Sequence, residues 1–287
     1  MGRMPKFWVE FILMQNKERY LPDANRVSVV TAVVLLTYAL TRLVNAPGFT
    51  LTLQLPGFYF SYPISMGTAM TLVAAGLTAS GMDWMLREHP SIKTLQPART
   101  IEHWLLPALT AFIIGVLLDL LPSGSVWWIG FGFSAAILVL IILAEYIALD
   151  PGAPSYAIAS AGLTALSYAL FLLFVIALRI AGARLFITAP AIFLAAGLVT
   201  LRTLHLRLGG HWNFPWGIGV GFITAQLAAS LHYWPLSSLQ FALILLGPLY
   251  ALTALADRLN EDIPIRNAIT EPGIILGALW VAAVFLR

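Results

Sequence analysis

The sequence has no cysteine and little charge, and both shortages restrict what the protein can be. Without cysteine there are no disulfides, thiolate nucleophiles, iron–sulfur clusters or cysteine metal sites. Charged residues make up 10% of the 287 residues, whereas soluble domains carry about 25%. A chain that is also 60% hydrophobic has too few polar residues to cover a soluble core, which excludes an ordinary soluble fold.

Catalytic and metal-binding patterns are scarce as well. The five histidines form no HExxH or other i, i+4 ligand pair, so the sequence predicts no metal site and no cofactor. A bis-histidine haem on His103, His205 or His211 is the alternative, but we expect these to be loop histidines. No convergent catalytic groups are recognisable, so we expect a non-catalytic protein. The net charge of +3 gives no reason to expect a nucleic-acid partner.

Long apolar runs are what the sequence has in abundance. Two such runs between His103 and Asp150 are joined by the turn Leu121–Ser125. Each is close to the ~20 residues that cross a hydrocarbon core as a helix. Because unpaired backbone amides are costly in lipid, these runs favour helices that span the bilayer. The predicted fold class is therefore an all-α polytopic transmembrane helical bundle.

About nine such runs predict nine spans in a single transmembrane domain over 27–287. The last run is short and needs modest local thinning of the bilayer to span it. If that run lies on the surface instead, eight spans remain. In order, the predicted spans are Val27–Val44, Pro63–Met82, the pair within His103–Asp150, Tyr156–Leu178, Leu185–Leu201, Phe214–His232, Leu239–Leu255 and Pro272–Leu286.

The most polar segment is the N-terminal stretch 1–26. Inside it, Phe7–Met14 is apolar but much too short to span, so we expect an interfacial amphipathic helix whose charges lie among the lipid headgroups. A cleaved signal peptide fits less well, because the charged lead is long and no small-x-small cleavage site follows the apolar run.

A strictly alternating segment follows the first span. Phe49–Leu55 alternates with period two, which is typical of a strand with its apolar residues on one face. Pro56 and Gly57 suit a type II turn, and the aromatic stretch Phe58–Tyr62 follows them. We therefore expect a short extracytoplasmic β-hairpin between spans one and two, lying on the membrane surface.

Basic residues are distributed unevenly between the two sides that nine spans define. By the positive-inside rule this asymmetry places the N-terminus in the cytoplasm of a plasma-membrane protein. The cytoplasmic side holds 12 of the 16 lysines and arginines, namely Arg3, Lys6, Lys17, Arg19, Arg26, Arg87, Lys93, Arg99, Arg202, Arg207, Arg258 and Arg266. The outer side holds Arg42, Arg179, Arg184 and Arg287.

Three short matches raise the hypothesis of an internal repeat. Because their order is kept and three spans is an odd shift, spans three to five and six to eight would be inverted repeats, an architecture of many secondary transporters. Chance is the alternative, because short Gly, Ala and aromatic matches recur in any apolar chain. The matched segments are Trp127–Phe133 with Trp216–Phe222, Leu166–Leu170 with Pro248–Leu252, and Pro107-Ala108 with Pro190-Ala191.

Polar residues inside spans are candidate binding residues by default. Arg42 and Asp119, near the outer boundary, would form a substrate or proton site; alternatively, Arg42 snorkels and Asp119 pairs with it or meets water. We expect Glu145 to be a solvated carboxylate near the cytoplasmic end of span four. Gln226, deeper in span seven, is expected to make an interhelical hydrogen bond. His232 begins an aromatic belt at the outer end of that span, and a ligand platform there is the other interpretation.

Small and basic residues near span seven have structural interpretations. Gly217 and Gly221 have the GxxxG spacing of close helix packing, and the strand–helix context of a phosphate loop is missing. The basic, aromatic segment Arg202–Trp212 on the cytoplasmic side is expected to contact anionic lipid headgroups, or else a protein partner.

Three motifs resemble an uncharacterised family of multi-span bacterial membrane proteins. They are Leu53–Gly57 (LQLPG), His103–Ala111 (HWLLPALTA) and His232–Leu236 (HYWPL). The resemblance implies a bacterial plasma membrane and carries no activity, so it assigns no functional residue.

Two functions remain open at this point. The first is a structural or accessory membrane subunit that assembles with a membrane-protein partner or a second copy, and it is motivated by small-residue faces and scarce buried charge. The second is a transporter of small molecules or lipids, motivated by the inverted repeat and by spans that contain proline and glycine. Membrane lipids are partners in either case. A polar cavity within the bundle would favour the second.

Overall fold

The structure, a computed structural model, describes residues 22–43, 48–56, 58–87, 101–150, 152, 154–261 and 263–286. The predicted N-terminal surface helix Phe7–Met14 lies outside these residues. The chain divides into two compact units, Met1–Ala159 (unit 1) and Ser160–Arg287 (unit 2).

Unit 1 contains four long helices and a hairpin in its described residues. Helix α2 begins at the N-cap Ser65, whose hydroxyl accepts a hydrogen bond from the Thr68 amide; such caps satisfy amides that the first turn leaves unpaired. The elements are α1 (Ala24–Leu43), β1 (Phe49–Leu55), β2 (Phe58–Ile64), α2 (Met66–Leu86), α3 (Ile101–Leu120) and α4 (Ser125–Ile147).

The hairpin consists of β1 and β2 paired antiparallel. Phe49 lies opposite Ile64, and Leu55 lies opposite Phe58 across the two-residue connection. Between these two residues of β1, every second residue lies on one face of the strand, and these are Thr50, Thr52 and Gln54, all exposed. Pro63, which the sequence assigned to span two, belongs to β2, and the helix begins three residues later.

Small residues let the helices of unit 1 approach closely. A Cβ on Gly81 of α2 would lie 2.6 Å from the Val30 side chain of α1. A Cβ on Gly115 of α3 would lie 2.6 Å from Thr71 Oγ1 of α2. Tyr38 is buried between these helices and donates its hydroxyl to the Ala111 carbonyl of α3 at 2.5 Å. Helix α2 therefore packs along both α1 and α3.

Unit 2 consists of helices throughout its described residues. Helix α8 begins with a capping box in which Ser237 and Gln240 each accept a backbone amide hydrogen bond from the other residue. The elements are α5 (Tyr156–Ile180, which starts just before the boundary), α6 (Leu185–Arg207), α7 (Phe214–Leu231), α8 (Ser238–Asn260), the short α9 (Ile265–Ala268) and α10 (Thr270–Phe285).

Helices α6 and α7 pack closely through glycine, as the GxxxG spacing predicted. A Cβ on Gly221 would lie 2.7 Å from the Phe193 carbonyl oxygen, and a Cβ on Gly217 would lie 2.4 Å from the Leu201 side chain. These glycines therefore serve packing inside unit 2, which confirms the packing interpretation. Helix α10 packs on α8, where the Trp280 indole donates to the Ile244 carbonyl at 3.2 Å.

Eight helices of the described residues are long and apolar enough to cross a membrane. The last predicted span is among them, because α9 and α10 together give the 21-residue stretch Ile265–Phe285. Helix α2 occupies the position of the second predicted span but is not among the eight, because Gly, Ala, Ser and Thr dilute its apolar content. The structure therefore supports eight candidate spans by composition, against nine predicted.

The two units share a spacing of helix starts. Helix α7 starts (Phe214) as far along the sequence from the start of α3 (Ile101) as α8 does (Ser238) from the start of α4 (Ser125). A turn that contains proline joins α3 to α4, and another joins α7 to α8. The three-span blocks suggested by the sequence, by contrast, are not the compact units, because the division falls within α5.

Candidate functional site

Arg42 at the end of α1 caps the end of α3. Its guanidinium donates to the carbonyl oxygens of Leu118 at 3.0 Å and Leu121 at 2.7 Å, and to the Ser123 hydroxyl at 3.3 Å. The last carbonyls of a helix have no partner within the helix and carry partial negative charge. Arg42 therefore has a structural role, and within the described residues its charge is offset by dipoles and not by a carboxylate.

A pocket of about 220 Å³ surrounds Arg42, and we call it the Arg42 pocket. The guanidinium lies 5.6 Å from the centre of the Trp127 ring, within the range of a cation–π contact. Trp127 is 3% exposed, and its buried indole nitrogen has no hydrogen-bond partner among the described residues. The lining residues are Ala39, Arg42, Leu43, Ser123, Gly124, Trp127 and Trp128.

Arg179 at the end of α5 makes an equivalent set of contacts in unit 2. It donates to the carbonyls of His232 and, at 2.9 Å, Trp234, just after α7 ends. Its guanidinium lies 5.0 Å from the centre of the Phe241 ring of α8. None of the described carboxylates pairs with Arg179. Each unit therefore places an arginine across a helix end and beside an aromatic ring.

A pocket of about 340 Å³ lies beside Arg179, and we call it the Arg179 pocket. His232 lines it, and in the part of the chain that the structure describes the buried Nδ1 atom of this ring has no hydrogen-bond partner. Burial and, second, the nearby Arg179 charge lower the pKa of His232, so the ring is neutral at neutral pH. The other lining residues are Leu178, Arg179, Gly182, Ala183, Thr188, Tyr233 and Phe241.

Asp119 is not the ion-pair partner of Arg42. In the described part of the chain the two form no ion pair. The Asp119 carboxylate lies instead against Gly67 at the start of α2, where a Cβ would be 2.5 Å from Asp119 Oδ1. Asp119 is exposed, and a carboxylate at a helix start is stabilised by the helix dipole. Of the alternatives for Asp119, pairing with Arg42 is wrong and contact with solvent fits the exposure.

Glu145 is buried, which corrects the expectation of a solvated carboxylate. It is 0% exposed, and its Oε2 lies 2.8 Å from Nδ1 of His103. His103 was expected in a loop but lies within α3 and is 7% exposed. Tertiary packing brings the start of α3 to the end of α4, and a buried carboxylate needs such a partner.

Gln226 also differs from expectation. It lies in the middle of α7 but is exposed, and its side chain makes no hydrogen bond within the described residues. Its backbone carbonyl accepts a hydrogen bond from the Ser230 hydroxyl at 2.9 Å. The predicted interhelical hydrogen bond within the chain is therefore wrong for Gln226.

Sequence reasoning missed the buried polar residues at the other end of unit 2. Arg207 Nη1 lies 2.6 Å from Asp257 Oδ2, and Arg202 is 1% exposed. The His205 ring packs against the Trp212 ring at 4.7 Å. Arg202 and His205 of the segment Arg202–Trp212 are therefore buried inside unit 2, whereas Arg207 and His211 are exposed. Contact of this segment with lipid headgroups stays a prediction. The sequence does contain a signal for these residues, because the tripeptide Leu-Ala-(Glu or Asp) occurs shortly before the end of both α4 and α8, with Glu145 and Asp257 as its acidic residues.

The eight apolar helices suit a multi-pass membrane protein, and a pocket lies beside the capping arginine at a helix end in each unit. Within that class the chain belongs to the family described as "Protein of unknown function (DUF5656)", whose model matches residues 45–286. This confirms the resemblance to an uncharacterised family. No curated protein and no solved structure matches the chain. The match includes the whole Arg179 pocket, whereas Arg42 lies just before it.

Proposed function

We propose that this protein handles lipids in the plasma membrane and binds the anionic headgroup of a lipid in the Arg179 pocket. The observation that carries the proposal is an arginine whose hydrogen bonds go to neutral carbonyls, beside a cavity of about 340 Å³ that Thr188 and His232 also line. A guanidinium retains donors after two such bonds, because it has five N–H groups. An anionic oxygen in the cavity would offset the charge through charge-assisted hydrogen bonds.

The packing of α2 supports nine spans in place of eight. Near its end, α2 approaches the start of α1, where the Arg26 guanidinium lies 4.5 Å from the centre of the Trp84 ring. At its start it approaches Asp119, the second last residue of α3. A helix of 21 residues is about 31 Å long. If α1 and α3 cross the bilayer, α2 crosses with them, antiparallel to both.

Nine spans, with the uneven distribution of basic residues, support an N-terminus in the cytoplasm. The ends that carry Arg42 and Arg179 would then face outward. Accessibility of single cysteines introduced at exposed positions tests this arrangement cleanly, because the protein has no cysteine of its own. We expect Ser123→Cys and Tyr233→Cys to react with an impermeant maleimide in intact cells, and Glu261→Cys to react after lysis alone.

The headgroup proposal is tested by counting lipids that the purified full chain retains, using native mass spectrometry. We expect Arg179→Gln to weaken retention of phosphatidylglycerol roughly tenfold, because a charge-assisted hydrogen bond is lost. Arg184→Gln is the matched control, since this exposed arginine lies at the same end and does not line the pocket. Equal retention by the two variants, with equal Tm values, would overturn the proposal.

A second candidate function rests on Gln226. A carboxamide exposed in the middle of a spanning helix is unfavourable in lipid and is typically paired across a helix interface. The small residues that suggested partner-binding faces are, by contrast, partly used inside the units, as Gly81 and Gly217 illustrate. Gln226 therefore carries the accessory-subunit hypothesis, with a polar helix of a partner or a second copy covering it.

This second candidate is tested by the mass of the particle in native nanodiscs. We expect Gln226→Leu to release a partner or second copy that the unchanged chain retains, while Ser230→Ala, one turn further on, leaves it bound. A single chain without partner in both cases would exclude the accessory function and leave lipid handling.

A further inference from the structure

The residues that line the Arg42 pocket of unit 1 include Arg42, Ser123 and Trp127, whose side chains can donate hydrogen bonds, beside apolar residues such as Ala39 and Leu43. Arg42 is exposed and retains N–H groups beyond those that cap α3. Ser123 contributes a hydroxyl, which both donates and accepts. Asp119, near the end of α3, lies against Gly67 and does not line the pocket. A ligand that enters this pocket meets positive charge and N–H groups, and it meets no carboxylate among the lining residues.

Trp127 adds a donor that the fold leaves without an acceptor. An indole N–H can only donate, and leaving it buried without a partner costs free energy. Its ring is held in place, because the Phe131 ring stacks on it at 5.1 Å and the Trp128 ring meets it edge-on at 5.0 Å. Trp128 is 63% exposed, so it can move to admit a ligand without repacking the interior.

The start of α4 leaves further donors at the same place. Its N-cap is Gly124, which has a φ of 128° and makes no side-chain cap hydrogen bond. First-turn amides of a helix point outward and carry partial positive charge, so they attract anions. In α8, which starts at the corresponding place in unit 2, Ser237 and Gln240 already occupy these positions.

We propose that the Arg42 pocket is a second ligand site and that it binds a phosphate group through Arg42, Trp127 and the start of α4. A phosphate offers several acceptor oxygens and no obligatory donor when ionised, which matches the donor groups of Arg42, Ser123 and Trp127. The volume of about 220 Å³ holds a phosphate ester and little more. An attached apolar chain would pass over Leu43, which is 77% exposed, and Trp128.

This inference does not depend on the Arg179 pocket, since the two sites share no residue. The phosphate comes either from a lipid headgroup or from a soluble phosphate. Calorimetric titration of the full chain in detergent distinguishes these sources with two probes, short-chain phosphatidylglycerol and inorganic phosphate. Binding of the lipid alone identifies a headgroup site, and comparable binding of both identifies a phosphate site; either result supports the proposal.

The decisive variant is Trp127→Phe, which removes the N–H and keeps an aromatic ring for stacking. We expect it to weaken binding at one site roughly tenfold, the effect of one hydrogen bond to an ionised acceptor. Trp104→Phe in α3 is the control and should bind as the unchanged chain does, since its indole nitrogen is likewise buried without a partner among the described residues but Trp104 does not line the pocket.

Stoichiometry separates this proposal from the one on Arg179. Two phosphatidylglycerol molecules should bind the unchanged chain, and each of Trp127→Phe and Arg179→Gln should weaken a different one. Arg42→Lys, which keeps the charge but not the planar fork, provides a second variant if Trp127→Phe lowers the Tm. Unweakened binding in both Trp127→Phe and Arg42→Lys would overturn the inference, whatever Arg179→Gln does.

Discussion

Units 1 and 2 place the same arginine arrangement in different surroundings. In each unit an arginine at one helix end caps the carbonyls of a second helix and lies beside an aromatic ring of a third. In unit 1 the third helix starts at Gly124 without a side-chain cap, whereas in unit 2 it starts with the Ser237–Gln240 capping box. The arginine secures the helix end in both, and the local caps decide how many donors remain for a ligand.

The opposite ends of the units differ in burial. Glu145 and its partner His103 in unit 1 are 0% and 7% exposed. In unit 2 the side chain of Arg207 is 46% exposed beside Asp257. Water can therefore replace a lost partner of Arg207 but not of His103, and the same kind of polar pair should matter more in unit 1.

The largest expected effect on the free energy of unfolding comes from removing the buried carboxylate of Glu145. Glu145→Leu leaves His103 without its carboxylate in the interior, which should cost about 3 kcal/mol of unfolding free energy, the upper end of the penalty for a buried polar group that loses its partner. Asp257→Leu should cost less, because Arg207 can turn to water. Thermal unfolding in detergent measures both, and Glu145→Gln, which keeps a hydrogen-bonding group, should be intermediate. An equal or larger loss in Asp257→Leu would contradict the comparison.

A smaller effect is expected at the glycines of the helix crossings. In unit 2 a Cβ on Gly221 meets backbone, the Phe193 carbonyl oxygen at 2.7 Å. In unit 1 a Cβ on Gly115 meets the Thr71 side chain, which can rotate away. Gly221→Ala should therefore destabilise by about 1–3 kcal/mol, the usual cost of overpacking, and Gly115→Ala by less.

The matched control is Gly219→Ala on the same helix α7, where nothing lies within 4 Å of the added Cβ. This substitution should raise the Tm slightly, because alanine favours helix over glycine. If Gly219→Ala and Gly221→Ala shift the Tm alike, then close packing of α6 and α7 does not depend on glycine.

The smallest effect is a pH dependence confined to the unit 2 pocket. The lowered pKa of His232 means that the folded state prefers the neutral ring. The corresponding stability is present above the unfolded pKa of about 6.5 and is lost as the pH falls from that value toward the folded pKa. The Tm difference between the unchanged chain and His232→Gln should therefore shrink between pH 7.5 and pH 5.5. Trp127→Phe in unit 1 should show no such change, because an indole does not titrate.

Local sequence patterns were enough to position most helices. The predicted starts of spans five to seven coincide with the observed starts at Tyr156, Leu185 and Phe214. Each follows a turn whose residues interrupt a long apolar run, and this information is local. The sequence also gave reason to expect glycine packing at Gly217, because a GxxxG spacing puts both glycines on one helix face.

Residues that depend on distant partners could not be predicted in this way. Glu145 and Gln226 are both polar residues within apolar helices, and nothing local indicates that the first is buried and the second exposed. The difference arises because His103, 42 positions earlier, returns to the end of α4. In the same way, only the tertiary structure shows that the Trp127 indole nitrogen lacks a partner among the described residues and that Trp127 shares a pocket with Arg42 and the turn after α3.

The sequence by itself determined a helical protein with the composition of a membrane-spanning bundle, because low charge and runs of about 20 apolar residues leave few other solutions. Tertiary structure decided which polar groups are paired, capped or left open to a ligand. Hydrophobic runs act through local backbone hydrogen bonding, whereas a pocket needs side chains from three helices within a few ångströms. Arg42 and Arg179 are therefore recognisable in the sequence as isolated charges, and the fold alone places each of them beside a pocket.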